Sequence, residues 1–216
     1  MAVNPSDSSG FTGLAGQFGL KNHAFFNAQL YSNPSFFLAG PAVGAPMAVI
    51  CLEKLIALGA SRIVVYGWCG SLSPSLGVGE LFVPTTGLSE EGTSVHYQTP
   101  NSWNGDFLRL QLVDVLTREG YQLKQGSIWT TDAVYRETRD KVERYSDQGI
   151  LAVDMEYTAL CSVAAFRRVN LAAVMLVSDE LFHREWAPRF QHKKFRTESR
   201  RVLEKLCAIL HTGEIS

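Results

Sequence analysis

The sequence predicts a three-layer α/β/α protein with a mixed, mainly parallel central sheet. Three observations predict it. Uncharged, β-branched runs such as VVYG (64–67) and LAAVMLV (171–177) have the length and composition of buried strands. Between such runs lie stretches long enough for helices, bounded by glycine and proline. Strand and helix then alternate along the chain, the order that covers a parallel sheet on both faces.

Taken in order, SFFLAG (35–40) reads as a short buried strand running into the Gly/Pro turn GPAVGAP. MAVICLEKLIALGA follows as a helix, with Pro46 near its first turn and Gly59 where a capping glycine belongs. RIVVYG (62–67) is a strand leading into a second glycine turn, GWCGSL, and GELFVPTTG (79–87) is another strand. Residues 104–119 carry apolar side chains at 107, 108, 110, 112, 113, 115 and 116, the stripe of an amphipathic helix that Gly120 ends. GSIWTTDA (126–133) is a strand entering a polar loop, 137–147 a charged exposed helix, and 155–168 an apolar helix preceded by a strand-like run. LAAVMLVSD (171–179) is a buried strand and 193–211 a final amphipathic helix.

The chain has 216 residues, enough to bury a core, and nothing in it reads as a repeat or a linker, so one domain over 1–216 is expected. Residues 1–20 are rich in Gly and Ser, lack a basic start followed by an apolar block, and are expected to include a mobile tail. A net charge of −1 gives no electrostatic footprint for nucleic acid or an anionic membrane, and no uncharged run is long enough to span one. The five histidines (His23, His96, His183, His192, His211) lack metal-site spacing, so no metal is expected. Cys51, Cys69, Cys161 and Cys207 are scattered, mostly in apolar surroundings, which suits reduced thiols and a cytoplasmic location.

In an α/β sheet, ligands bind at the carboxyl ends of strands. GPAVGAP, GWCGSL and SDE (178–180) converge there, with TTDAVY as a fourth loop. The turn around Val43 and Gly44 either is a tight turn needing glycine or presents free amides to an anion. Gly67, Trp68, Cys69 and Gly70 carry the same two readings, pocket wall or core. Asp154 and Glu156, flanking Met155, either cap a helix or offer a partly buried carboxylate to a sugar diol. Asp179, after Ser178 at the end of a buried run, either caps the next segment or acts as a general acid with a pKa raised by desolvation. The basic, aromatic stretch 183–196 reads as a lid or a subunit contact.

Together these segments resemble the nucleoside phosphorylase/uridine phosphorylase superfamily. The resemblance rests on five motifs in order over residues 36–196: GPAVGAPMAVICLEKLIALGASRIVVYGWCGSL, VGELFVPTTGLSEEGTSVHY, GSIWTTDAVYRET, AVDMEYTAL and VMLVSDE. It implies a nucleoside phosphorylase-like fold and cleavage of a nucleoside, purine by its Ser–Asp pair, to the base and ribose 1-phosphate. Glu156 would accept the ribose 2′- and 3′-hydroxyls, Met155 would pack on the sugar, and Asp179 would protonate or hydrogen-bond N7. Tyr135 first, then Val134 and Trp129, would wall the base, with Ser178 and Asp154 nearby. No cofactor is implied beyond phosphate as a possible co-substrate, and a homo-oligomer, dimer to hexamer, is expected.

The sequence also departs from that pattern. Phosphorolytic members contact phosphate through an arginine and a Ser or Thr, where this chain has Val65 and Trp68, and the N-terminal Gly-Asp-Pro loop with its arginine is missing. Two further readings follow: water as nucleophile, as in the nucleosidase branch, or a family member that binds a nucleoside without turnover.

Overall fold

A computed structural model of the chain describes residues 1–97, 106–183, 186 and 188–215. In chain order the elements are α1 (Pro5–Ser8), α2 (Phe11–Phe18), β1 (Lys21–His23), β2 (Gln29–Ser32), β3 (Phe37–Gly40), α3 (Ala45–Ala57), β4 (Arg62–Ser71), β5 (Leu81–Glu90), α4 (Asp106–Arg118), β6 (Leu123–Thr131), α5 (Arg139–Asp147), β7 (Ile150–Asp154), α6 (Tyr157–Arg167), β8 (Asn170–Glu180) and α7 (Lys193–Thr212). The start expected for α4, at 104–105, lies outside the described residues, as do Arg184, Glu185 and Ala187 of the basic stretch.

The central sheet is mixed and closes on itself in the order β4-β7-β6-β5-β8. Three of its pairings are parallel (β4–β8, β5–β6, β6–β7), and two antiparallel pairings close the ring. Helices cover it on two sides. α3 and α6 pack through Leu52, Leu55, Leu160 and Val163 against Val65, Ala173 and Met175, and α4 and α7 pack through Leu112, Leu116, Val202 and Leu206 against Val64, Val174 and Leu176. Alternation along β4 and β8 therefore feeds both layers, and these strands read as unbroken apolar runs because neither face meets water.

Three expectations are corrected. Strand β4 runs on to Ser71, so GWCG is strand rather than turn. Its glycines serve close packing: a Cβ at Gly67 would sit 2.9 Å from Val3 Cγ2, and one at Gly70 would collide with Leu181 Cδ1. Strand β3 belongs to a separate antiparallel sheet with β1 and β2, two short strands that the alternating pattern did not announce. Residues 1–20 are built into the core instead of hanging free. Ala2 N donates to Ala39 O and Val3 N to Tyr66 O, each at 2.9 Å, so the first residues bridge β3 and β4. Ala2 and Phe11 are fully buried. Glycine and serine content argued for mobility, but the backbone donors of 1–3 have sheet partners on both sides.

Candidate functional site

The C-terminal ends of β4, β7 and β8 meet at Gly70, which pairs with Val153 on β7 and with Asp179 on β8. Asp154 ends β7 and Glu156 opens α6, so the acids from 154–156 and Asp179 stand on one rim on either side of β4. Between them the Cys69 thiol is buried, and burial, then Asp154 and Asp179, push its pKa well up; it stays a thiol.

Glu156 is 5% exposed, and its Oε1 accepts the Gly44 amide at 2.6 Å. Gly44 has φ +81°, a conformation that L side chains rarely adopt, and this lets the turn after β3 aim its amide across to α6. Burial first, then the Asp154 carboxylate, raises the pKa of Glu156, while the Gly44 and Met155 amides oppose them. Such a carboxyl is short of donors, and a pair of hydroxyls supplies them. Met155 is half-buried beside it, and Val43 is exposed at the mouth of the same turn.

Asp154, expected among the base contacts, instead caps the helix. Its Oδ2 accepts the Tyr157 amide at 2.7 Å and the Glu156 amide at 3.1 Å, and its Oδ1 accepts the Thr130 hydroxyl at 2.6 Å. Both oxygens accept hydrogen bonds within the chain, and the residue is buried.

Asp179 is half-buried. Its Oδ1 accepts the Ser178 hydroxyl at 2.6 Å, and Ser178 is itself held by Cys69 O at 3.2 Å. The indole of Trp186 donates to Oδ2 at 2.8 Å. A base reaching Oδ2 therefore takes the place of an exposed tryptophan, not of a core contact.

The base-wall candidates separate. Trp129 is fully buried with Leu72, Tyr145 and Val153, because on β6 its neighbour Ile128 takes the face toward α3 and α6; it is core. Val134 and Tyr135 lie on a short 3-10 turn after β6 and are exposed, Tyr135 by 97%. A single chain leaves them at the rim with nothing packed over them.

Trp68 leads to a group that sequence reasoning missed. Its indole donates to Ser199 Oγ at 2.8 Å, and Ser199 donates to Asp7 Oδ1 at 2.6 Å. Tyr66 joins at 2.9 Å, and Phe195 packs edge-on to Trp68 with centroids 5.0 Å apart. Asp7 is 1% exposed, and burial raises its pKa to about 6. Asp7 lay in the segment dismissed as a tail, and Ser199 lies in the middle of a helix; only their meeting at Trp68 marks them. Glu137, three residues past Val134, was also missed: burial, then the facing Asp179, raises it to about 8.

A cavity of about 520 Å³ lies at the other end of β4, lined by Ser61, Arg62 and His211, and holds none of these acids. Among the described residues no helix is long and apolar enough to cross a membrane.

Comparison with known proteins follows the same lines. A family model described as the phosphorylase superfamily matches residues 21–212. The purine nucleoside phosphorylases (DeoD-type) of Bacillus cytotoxicus and Bacillus cereus are each 30% identical over 157 residues, 70% of this chain. The match spans just under two thirds, 66%, of those relatives' length. The crystal structure of Toxoplasma gondii purine nucleoside phosphorylase in complex with immucillin-H superposes with a TM-score of 0.79 at 20% identity, over 98% of this chain and 90% of that one. Vibrio fischeri uridine phosphorylase gives 0.77 at 18%, over 99% and 89%. The five motifs, the closed mixed sheet with its rim of acids and the match over residues 21–212 agree: the chain belongs to the phosphorylase superfamily, the family of the purine nucleoside and uridine phosphorylases.

Proposed function

We propose that the protein cleaves the N-glycosidic bond of a purine nucleoside, with water rather than phosphate as the acceptor. Glu156 accepts the ribose hydroxyls and fixes C1′ on the rim. Asp179 serves N7 of the base as the C1′–N9 electron pair passes into the heterocycle, so that the base leaves neutral. Water adds its oxygen to C1′ and gives up one proton, the base gains one, and the products are base and free ribose.

The observation that carries the choice of nucleophile is the group formed by the half-buried Trp68 with the buried Ser199 and Asp7. By the resemblance, Trp68 occupies the place of a phosphate-binding hydroxyl. An indole and a buried carboxyl there oppose an oxyanion by volume and by charge. Phosphorolysis to ribose 1-phosphate stays the second reading, favoured by a cavity of about 70 Å³ lined by Ser6, Ser9, Arg196 and Arg200 beside Trp68.

The test is base release from inosine and adenosine with and without phosphate. Equal rates, with free ribose as product, support water. A rate that rises with phosphate and yields ribose 1-phosphate overturns it. Binding with no release in either buffer overturns turnover itself.

We also infer a homo-oligomer. Ile50 on α3, Phe166 on α6, Val95 and Phe26 are large exposed apolar side chains on one side of the molecule, where Lys54 covers the Phe26 ring and Tyr97 meets Phe166.

A further inference from the structure

Beside Trp68, residues of α1 and α7 enclose a cavity of about 70 Å³, lined by Ser6, Asp7, Ser9, Trp68, Arg196 and Arg200. Neither Glu156 nor Asp179 lines it. The space is that of roughly two waters at ~30 Å³ each, so one tetrahedral oxyanion fills it and a sugar does not fit. Three of its groups have bonding capacity to spare. Asp7 Oδ1 accepts the Ser199 hydroxyl, but Asp7 Oδ2 is buried with no hydrogen-bond partner among the described residues. The charge of Arg200 is felt at Asp7, yet among the described residues its guanidinium makes no ion pair. Arg196, one turn earlier, donates its Nε to Phe190 O at 3.3 Å. A buried acceptor and two cationic donors thus line one small space without bonding to each other.

We infer that this pocket binds hydrogen phosphate, an oxyanion that still carries a proton. Its O–H donates to Asp7 Oδ2, and its other oxygens accept from Arg196, Arg200 and the Ser6 hydroxyl. The proton is what the pocket selects. Sulfate has none at neutral pH and sets a lone pair against the lone pair of a buried carboxylate. A phosphate monoester, with its second pKa at about 6, has lost its proton near pH 7.5. The bound anion ties α1 to α7 beside Trp68. It braces the fold and is not a co-substrate, so the inference stands on the pocket alone and is independent of the function proposed above.

Calorimetric titration of the full chain near pH 7.5 with phosphate, sulfate and ribose 5-phosphate tests it. Phosphate is expected to bind at least about tenfold more tightly than either competitor. Arg200→Ala should weaken phosphate about tenfold or more. Asp7→Asn keeps an acceptor for Ser199 and adds an amide that can donate, so sulfate should come within about threefold of phosphate. No binding of phosphate, equal binding of sulfate or ribose 5-phosphate, or an Arg200→Ala chain that binds as the parent does overturns the inference. Ribose 1-phosphate formed by the parent and lost in Arg200→Ala also overturns it, because the pocket then serves a co-substrate. If the chain cleaves no nucleoside, the proposed function falls and the binding pattern still decides this one.

Discussion

Asp7 sets a penalty that depends on pH. Its folded pKa, about 6, lies above the ordinary 3.8, so between those values the folded chain binds more protons than the unfolded one. Stability therefore falls as pH rises through that window, by roughly 3 kcal/mol, and stays lower above it. Asp7→Asn keeps an acceptor for Ser199 and removes the titration. Urea unfolding should show the variant equal to the parent near pH 4 and more stable near pH 7. Asp154 and Asp179 differ in kind, although both lie at the C-terminal ends of strands. Asp154→Ala removes three hydrogen bonds at a helix start and should cost about 2 kcal/mol. Among the described residues the Asp179 carboxylate is hydrogen-bonded by Ser178 and an exposed Trp186, so Asp179→Asn should fold normally and lose 100-fold or more in base release. A folded Asp179→Asn that still cleaves purine nucleosides would remove the acid from its role.

At the scale of the element, β4 decides the site. Two glycines around Trp68 and Cys69 looked like a turn, since glycine signals one more often than it signals crowding. Here they let β4 pass Val3 and Met175 at Gly67, and Val153 and Leu181 at Gly70, with no Cβ between. Continuing the strand to Ser71 brings its end into register with both β7 and β8. Gly67→Ala should then destabilise by about 1–3 kcal/mol through overpacking, seen as a lower urea midpoint at unchanged slope. The N-terminal segment belongs to the same argument, because Val3 is both the neighbour of Gly67 and the residue whose amide pairs with Tyr66.

At the scale of the whole molecule, the homo-oligomer proposed above is tested on the exposed apolar flank of α3 and α6. Ile50→Glu places a charge in that flank without touching the acids, and light scattering should show a smaller species than the parent. What the sequence by itself determined was the order of the main strands and helices from α3 onward, the mixed sheet and the family. Burial on both faces and glycine at turns leave local marks, and a family's motifs are strings of residues. Only the tertiary structure decided that Asp154 bonds the first amides of α6, that Trp129 is core, that residues 1–3 bridge β3 and β4, and that Asp7, Ser199 and Trp68 meet in one hydrogen-bonded group. Asp154 and Thr130 are 24 residues apart and Asp7 and Ser199 192, and a carboxylate's role is set by which donors surround it after the chain has closed.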